Sequence, residues 1–299
     1  MSAATGETWH ERVAYAAYGT VAWLGRTLPT TTGRVLFRWV GTAAFHLLPG
    51  VRAVVAANQA QVLGRAPDDP LVRASTRRAF RSYARYWFDA FDVATWDDDR
   101  IRGAMSFEGL ERVQELLAEG SGVLVVVPHM GNWDAAGRAL TAHGIAVLSV
   151  AERLRPEALY ELFLRHRRDL GMDIIGLADD GDVARKLTNA LADGRFVALV
   201  ADRDLSGRGI EVEMFGASRR LPAGPAVLAL RSGAPVVTAD LYETPMGWRC
   251  RLHPPLEIEP SGDRRADVAV LTRAIAERFE LAIAASPSDW HLFQPGWPS

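Results

Sequence analysis

The segment Gly122–Pro128 (GVLVVVP) sets five aliphatic residues in unbroken succession between a glycine and a proline. A strand with one wet face alternates apolar and polar side chains, so a run without alternation belongs to a strand covered on both faces. Further strand candidates follow at Ile145–Val150, Asp173–Leu177, Phe196–Ala201, Gly209–Phe215, Pro235–Tyr242 and Trp248–Leu252. Helical patterns fall between and after them at about 132–142, 156–170, 181–193, 224–232 and 265–285. Strand–helix alternation of this kind builds a parallel sheet with helices on both faces. The last strands lie close together and are expected to pair antiparallel. The expected fold class is therefore α/β: a mixed, mainly parallel sheet with helices on both faces and a helical N-terminal extension.

Residues 1–104 form that extension and 105–299 the α/β core of a single domain, with no internal repeat or linker in the 299 residues. Val13, Ala17, Val21 and Leu24 recur at helical spacing, and Val35, Leu36, Trp39, Val40 and Phe45 mark a second helix. Leu28-Pro29 and Leu48-Pro49-Gly50 end them. Aromatic rings flanked by Arg12, Arg26, Arg34, Arg38 and Arg52 suit either helices lying in an anionic membrane interface or a helical hairpin capping the core. A third helix, about Asp69–Val93, carries Arg73, Arg77, Arg81 and Arg85 four apart, which reads as a solvated face or as a partner for an anionic headgroup or coenzyme. Asp97, Asp98 and Asp99 then mark a loop.

The net charge of −2 points to no nucleic-acid partner. Among 34 basic residues only Lys186 is a lysine, so any phosphate would be gripped by guanidinium forks. The lone Cys250 excludes an internal disulfide, an iron–sulfur cluster and a thiolate zinc cage. The start MSAATGETWHER has neither the basic region nor the apolar core of a signal peptide. The uncharged stretches Val13–Gly25 and Trp39–Val51 hold 13 residues each. As helices they reach about 20 Å, short of the roughly 30 Å hydrocarbon core, which leaves a soluble or peripheral protein.

The chemistry is expected in Val127–Asp134 (VPHMGNWD), at the C-terminal end of the first buried strand, where open α/β sheets place their ligands. Five residues of regular helix turn the His129 and Asp134 side chains roughly 140° apart. They meet only if His129 lies on the turn and Asp134 in the first helical turn, with Gly131 easing the bend. Asp134 then orients His129 as a general base acting on a substrate hydroxyl. No GxSxG is present and the cysteine is remote, so the substrate alcohol itself is the expected nucleophile. His46, His143 and His166 read as structural, and Trp290-His291 as packing of the tail. Pro222, Gly224 and Pro225 read as the start of a helix. The small residues Ala135, Ala136, Gly137 and Ala139 leave room for an apolar channel.

His-x4-Asp in the form H-x-G-N-W-D resembles the motif of the bacterial lysophospholipid and lipid A late acyltransferases, of glycerolipid-acyltransferase-like fold. Val150–Glu157, Phe163–Arg167 with Leu170-Gly171, Ala201–Leu205, Phe215-Gly216, Pro222–Ala226 and Asp289–Pro295 resemble its actinobacterial phosphatidylinositol mannoside acyltransferase branch. The resemblance runs from about residue 105 onward. It implies transfer of a long acyl chain, typically palmitoyl, from acyl-CoA to a mannose 6-hydroxyl of a phosphatidylinositol mono- or dimannoside. The single cysteine fits a reducing cytosolic face, and with the arginine-flanked N-terminal helices the expectation is a peripheral protein at the cytoplasmic face of the membrane. In this family the histidine is the base and the motif carboxylate orients it, which falls on His129 and Asp134. Other family site positions fall on Glu152, Arg167 and Asp202, the last one methylene shorter than the glutamate often found there. Arg167 would orient Glu152 or Asp202, clamp a phosphate, or serve as a structural ion pair. Arg203, with Arg153, Arg155 and Arg208, is a candidate phosphate contact. Amides around Gly131–Trp133 would stabilise an oxyanion. Acyl-CoA is a co-substrate, and no cofactor or metal is implied. Alternatives are another glycolipid or lysophospholipid acceptor, or a non-catalytic lipid-binding protein.

Overall fold

The apolar run becomes β2 (Val123–Val127), buried along nearly its whole length because it sits in the middle of a sheet. The computed structural model describes residues 8–177, 182–259 and 261–297. The opening heptapeptide and the first residue of the expected 181–193 helix lie outside the described residues. The sheet also contains β1 (Met105–Glu108), β3 (Val147–Ala151), β4 (Asp173–Gly176) and β5 (Phe196–Val200). A separate antiparallel hairpin joins β6 (Ile210–Met214) to β7 (Ala217–Leu221), and β8 (Val236–Glu243) and β9 (Trp248–Leu252) return to the main sheet. Its order is β1-β9-β8-β2-β5-β3-β4, parallel throughout except where β8 meets β9. The mixed, mainly parallel α/β fold is as expected, and so is the antiparallel β8–β9 pair. The expected 209–215 strand pairs instead with β7, outside the main sheet.

Four N-terminal helices precede the sheet: α1 (Trp9–Thr27), α2 (Thr30–Leu47), α3 (Pro49–Leu63) and α4 (Pro70–Asp92). After them come α5 (Asp98–Ala104), α6 (Leu110–Ala118), α7 (Trp133–Ala142), α8 (Glu157–Asp169), α9 (Val183–Ala192), α10 (Gly224–Ser232) and α11 (Arg264–Ala285). Successive side chains of β2 point to opposite faces. Leu124 and Val126 pack with Val197, Leu228, Ile275 and Phe279 under α10 and α11. Val123 and Val125 pack with Phe196, Ile101, Val113 and Leu140 under α5, α6 and α7. Two cores thus share one sheet, which is why the sequence of β2 cannot alternate.

Helix α3, α5, α6, β1 and β7 are elements the sequence reading does not contain. The loop expected at Asp97–Asp99 is a helix start: Asp97 accepts the Arg100 amide at 2.8 Å, and Asp98 and Asp99 occupy the first turn, where acidic groups meet the positive helix end. Helix α3 has no strong apolar stripe because its buried residues include amides. Asn58 Nδ2 donates to the Leu292 and Gln294 carbonyls at 3.0 and 2.9 Å, and Gln59 Nε2 to Pro287 O at 2.8 Å, fastening the C-terminal tail.

Helix α2 lies tightly on α4. A Cβ at Gly33 would come within 1.9 Å of the Phe88 ring, and one at Gly41 within 2.5 Å of Phe80 O. The opposite face of α2 remains exposed at Val35, Leu36, Trp39 and Val40. Among the described residues no single helix is long and apolar enough to cross a membrane; α2 and α3 pass that test only as a pair bent by 98°.

His166 on α8 is structural, as expected. It is 2% exposed, its ring lies 4.4 Å from that of Phe91, and neither ring nitrogen has a hydrogen-bond partner. Burial pushes its pKa down to about 4. The unfolded chain, with an ordinary histidine pKa of about 6.5, binds more protons than the native protein below that pH, so stability falls as pH falls from about 6.5 toward 4. Replacing His166 by Phe should remove about 2 kcal/mol of the stability lost between pH 8 and pH 5. Urea midpoints of the two proteins at both pH values check this; equal losses would contradict it.

Candidate active site

Strands β2 and β5 are parallel neighbours with Val127 opposite Val200, and Ala201 N donates to Val127 O at 2.9 Å just beyond the last pair. Two residues past each strand end stand His129 and Asp202. The register therefore sets them side by side: His129 Nδ1 lies 2.5 Å from Asp202 Oδ1, and the His129 amide donates to the same oxygen at 3.0 Å. The second carboxylate oxygen accepts Trp290 Nε1–H at 2.7 Å, and the Asp202 carbonyl accepts Arg219 Nη2 at 2.6 Å. Asp202 is fully buried. Burial alone would raise its pKa, but attraction to the imidazolium form of His129 and hydrogen bonds from His129 and Trp290 keep it well below the usual carboxylate range. An ionised carboxylate at this distance accepts the Nδ1 proton, which leaves the lone pair on Nε2.

The tail completes the enclosure. Trp290 forms a bridge with Met130, the Gly131 amide donates to Asp289 O at 2.9 Å, and the His291 amide to His129 O at 2.7 Å. Gly131 has φ +59°, and a Cβ there would lie 2.4 Å from Leu241 O, so both conformation and space require glycine. His291 Nε2 is 2.9 Å from Ser82 Oγ, and burial, with the His129 charge, pushes the His291 pKa to about 3 and keeps the ring neutral.

The expected pairing of Asp134 with His129 is not found. Asn132 caps α7, its Oδ1 accepting the Ala135 amide at 2.9 Å, and this start turns Asp134 toward α4 and α8. There Asp134 accepts from Arg167 Nε and Tyr86 OH, each at 2.8 Å. Burial pushes the Asp134 pKa up, but Arg167 and the nearby His166 bring it below its ordinary value. For Arg167 burial works downward, and Asp134 more than compensates. The cluster pins Trp133, whose ring stands edge-on to His129 at 5.4 Å and lies 4.3 Å from Tyr86.

Of the remaining sequence candidates, Arg167 joins neither Glu152 nor Asp202; it is the ion-pair partner of Asp134. Glu152 follows β3, exposed and with no partner among the described residues. Arg203, next to Asp202, donates to Gln294 Oε1 at 3.1 Å and keeps a buried, unpartnered Nε. The Gly131 amide is occupied by Asp289, so of the amides expected to face an oxyanion only those of Asn132 and Trp133 lack a partner among the described residues. Sequence reasoning treats Trp290 as packing alone and does not single out Arg219; a polar atom on a buried tail residue is the only signal that points to the first.

A narrow apolar slot of about 80 Å³ begins at Trp133 and runs between α7 and the sheet, past Ala136 and Gly137. Its lining extends from Ile174 on β4 to Cys250 on β9, across six strands and roughly 24 Å at about 4.8 Å per strand gap. Ala136 and Gly137 line it as expected, although the space a Cβ would take at Gly137 is held by Met172, whose Sδ would lie 2.2 Å from it. Ala135 and Ala139 belong instead to the packed core. Among the described residues no cluster of His, Cys, Asp and Glu suits a metal.

The chain matches the sequence profile of the bacterial lipid A biosynthesis acyltransferases over residues 7–299. It is 38% identical over 244 residues to a phosphatidylinositol mannoside acyltransferase of Mycolicibacterium smegmatis, covering 80% of this chain and 77% of that protein. It is 38% identical over 246 residues to a protein of the same name from Mycobacterium tuberculosis, covering 80% and 75%. A histidine held by a buried carboxylate beside a long apolar slot fits acyl transfer to an alcohol, and the chain belongs to the bacterial lipid A biosynthesis acyltransferase family and is an acyltransferase.

Proposed function

We propose that this acyltransferase moves a long-chain acyl group, palmitoyl in the first instance, from acyl-CoA to the mannose 6-hydroxyl of a phosphatidylinositol mono- or dimannoside. The observation that carries the reading is the His129–Asp202 pair, with Trp133, which lines the slot, standing edge-on to His129; the names of the similar mycobacterial proteins support the acceptor. His129 Nε2 takes the proton of the mannose hydroxyl as its oxygen attacks the thioester carbon. The negative charge passes to the former carbonyl oxygen, within reach of the Asn132 and Trp133 amides. Collapse restores the carbonyl, breaks the carbon–sulfur bond and expels CoA as a thiolate, which receives the proton from His129. The products are the acylated glycolipid and CoA.

Asp202 orients the base and balances its positive charge. Asp134 and Arg167 act as positioning residues that hold Trp133 and the start of α7. Glu152 and Arg203, both beyond the C-terminal ends of strands, flank the acceptor side. The acyl chain lies in the slot under α7. The proposed position is peripheral, at the cytoplasmic face of the membrane, and the exposed rings of α1 and α2, Trp9, Trp23 and Trp39, support it as groups suited to an anionic interface.

Palmitoyl-CoA and a panel of mannosylated phosphoinositides and lysolipids, read by CoA thiol release, test this reading. His129→Ala should lower turnover about 10²–10⁴-fold while circular dichroism stays native. Wild-type turnover by that variant, or transfer only to lysolipids, would defeat it. Ala136→Phe fills the slot and should reduce turnover of palmitoyl-CoA by about tenfold or more while sparing short-chain donors, the loss of apolar burial being the cause. An unchanged chain-length profile would place the acyl chain elsewhere.

A further inference from the structure

On the face of α4 turned away from Tyr83 and Trp87, a cleft of about 810 Å³ opens between α2, α4 and the β8–β9 turn. Arg34 and Arg38 of α2 and Arg78, Arg81 and Arg85 of α4 line it. Two of these charges are answered within the protein. Asp89 accepts from Arg34 Nε and Arg85 Nε, each at 2.8 Å, and Arg85 also pairs with Glu243. Arg38, Arg78 and Arg81 have no carboxylate partner among the described residues. Arg81 is held in place by Nε–H donating to Thr42 Oγ1 at 2.9 Å, which leaves the end of its fork free. Arg34 Nη2 is buried and unpartnered. Like charges brought this close oppose one another unless an anion comes between them; burial, Arg77 and Arg38 all lower the Arg81 pKa.

Two acidic groups, Glu243 and Asp289, also line the cleft. Burial raises both, Glu243 to about 7 despite Arg85, so Glu243 offsets the arginines only in part near neutrality. The cleft is backed by the loop that carries the catalytic histidine, since Ser82 lies against His291 and Asp289 O accepts the Gly131 amide. Its rim is apolar: Val35 is 53% exposed and Met246 83%, and Trp39, 68% exposed, extends the same side of α2. Guanidinium forks with an apolar rim match a phosphate borne on an amphiphile.

We propose that this cleft is a phosphate-binding site separate from the catalytic centre, and that its ligand is the phosphate of an anionic lipid headgroup. The proposal does not depend on which glycolipid accepts the acyl chain. Phosphate diesters fit the free forks of Arg38, Arg78 and Arg81, and the lipid tails pass over Val35 and Met246.

Flotation with phosphatidylcholine vesicles, with or without phosphatidylglycerol, tests it, because phosphatidylglycerol carries the phosphate but neither inositol nor mannose. Arg38 and Arg78 are exposed, so a double variant R38Q/R78Q should fold; R264Q/R265Q removes the same charge from α11 as a control. At about a fivefold effect per arginine near an anionic surface, R38Q/R78Q should lose roughly 30-fold in partitioning to phosphatidylglycerol vesicles, and the control far less. Turnover of a water-soluble acceptor should be unchanged in both variants, which separates failure here from failure of the catalytic reading. A second arm titrates inorganic phosphate and follows the Arg81 Nε–H by NMR. A shift in wild type that disappears in R38Q/R78Q, with vesicle binding unaltered, would overturn the lipid headgroup and leave free phosphate as the ligand. Equal losses in both double variants with no phosphate-dependent shift would overturn the site.

Discussion

The His129–Asp202 pair depends on the register between two neighbouring parallel strands. With Val127 opposite Val200, an equal count of two residues brings His129 and Asp202 together beyond the edge of the sheet. A slip of one residue in either strand would reverse the facing of its side chains and separate the pair. That register is itself protected, because β2 and β5 are buried between two cores. The geometry of the pair is thus held by the most constrained part of the fold, with the C-terminal tail closing over it: Trp290 reaches Asp202 and His291 reaches the backbone of His129.

The same neighbourhood contains two buried carboxylates in different employment. Asp202 is surrounded by donors from His129 and Trp290, which keep it ionised despite its burial. Asp134 has one cation and one phenol, and its charge is matched locally by Arg167. Removing one partner of such a pair leaves an uncompensated buried charge, costing about 3–5 kcal/mol. Asp134 and Arg167 therefore behave as a unit that orients the start of α7, while Asp202 behaves as a unit with the base. Each carboxylate has a role that the other, fixed on a different element, has no geometry to assume.

The mixed sheet and the crossover helices were legible in the sequence, because a non-alternating run and strand–helix alternation follow from burial on two faces. The same strand reading singles out the end of β2, and with it His129, as the candidate site. The identity of its partner was not. Sequence spacing brings Asp134 forward because it is near in the chain, whereas Asp202 is near only once β5 is known to lie beside β2, and strand order is not written in periodicity. The resemblance did mark Asp202 as a site position, without its contact to His129. Helix α3 escaped notice because it buries Asn58 and Gln59 against the tail, and β7 because Arg219 and Arg220 interrupt its apolar pattern.

On the proposed mechanism the base needs a lone pair facing the acceptor, and a hydrogen bond on the opposite side of the His129 imidazole supplies that orientation. Proton NMR of the His129 ring, with the Nδ1–H assigned by selective labelling, reports on that bond. A far-downfield Nδ1–H resonance should be present in the wild type, persist in Asp134→Asn and vanish or move strongly upfield in Asp202→Asn. Its loss in Asp134→Asn with retention in Asp202→Asn would contradict the account and return the orienting role to the carboxylate five residues away.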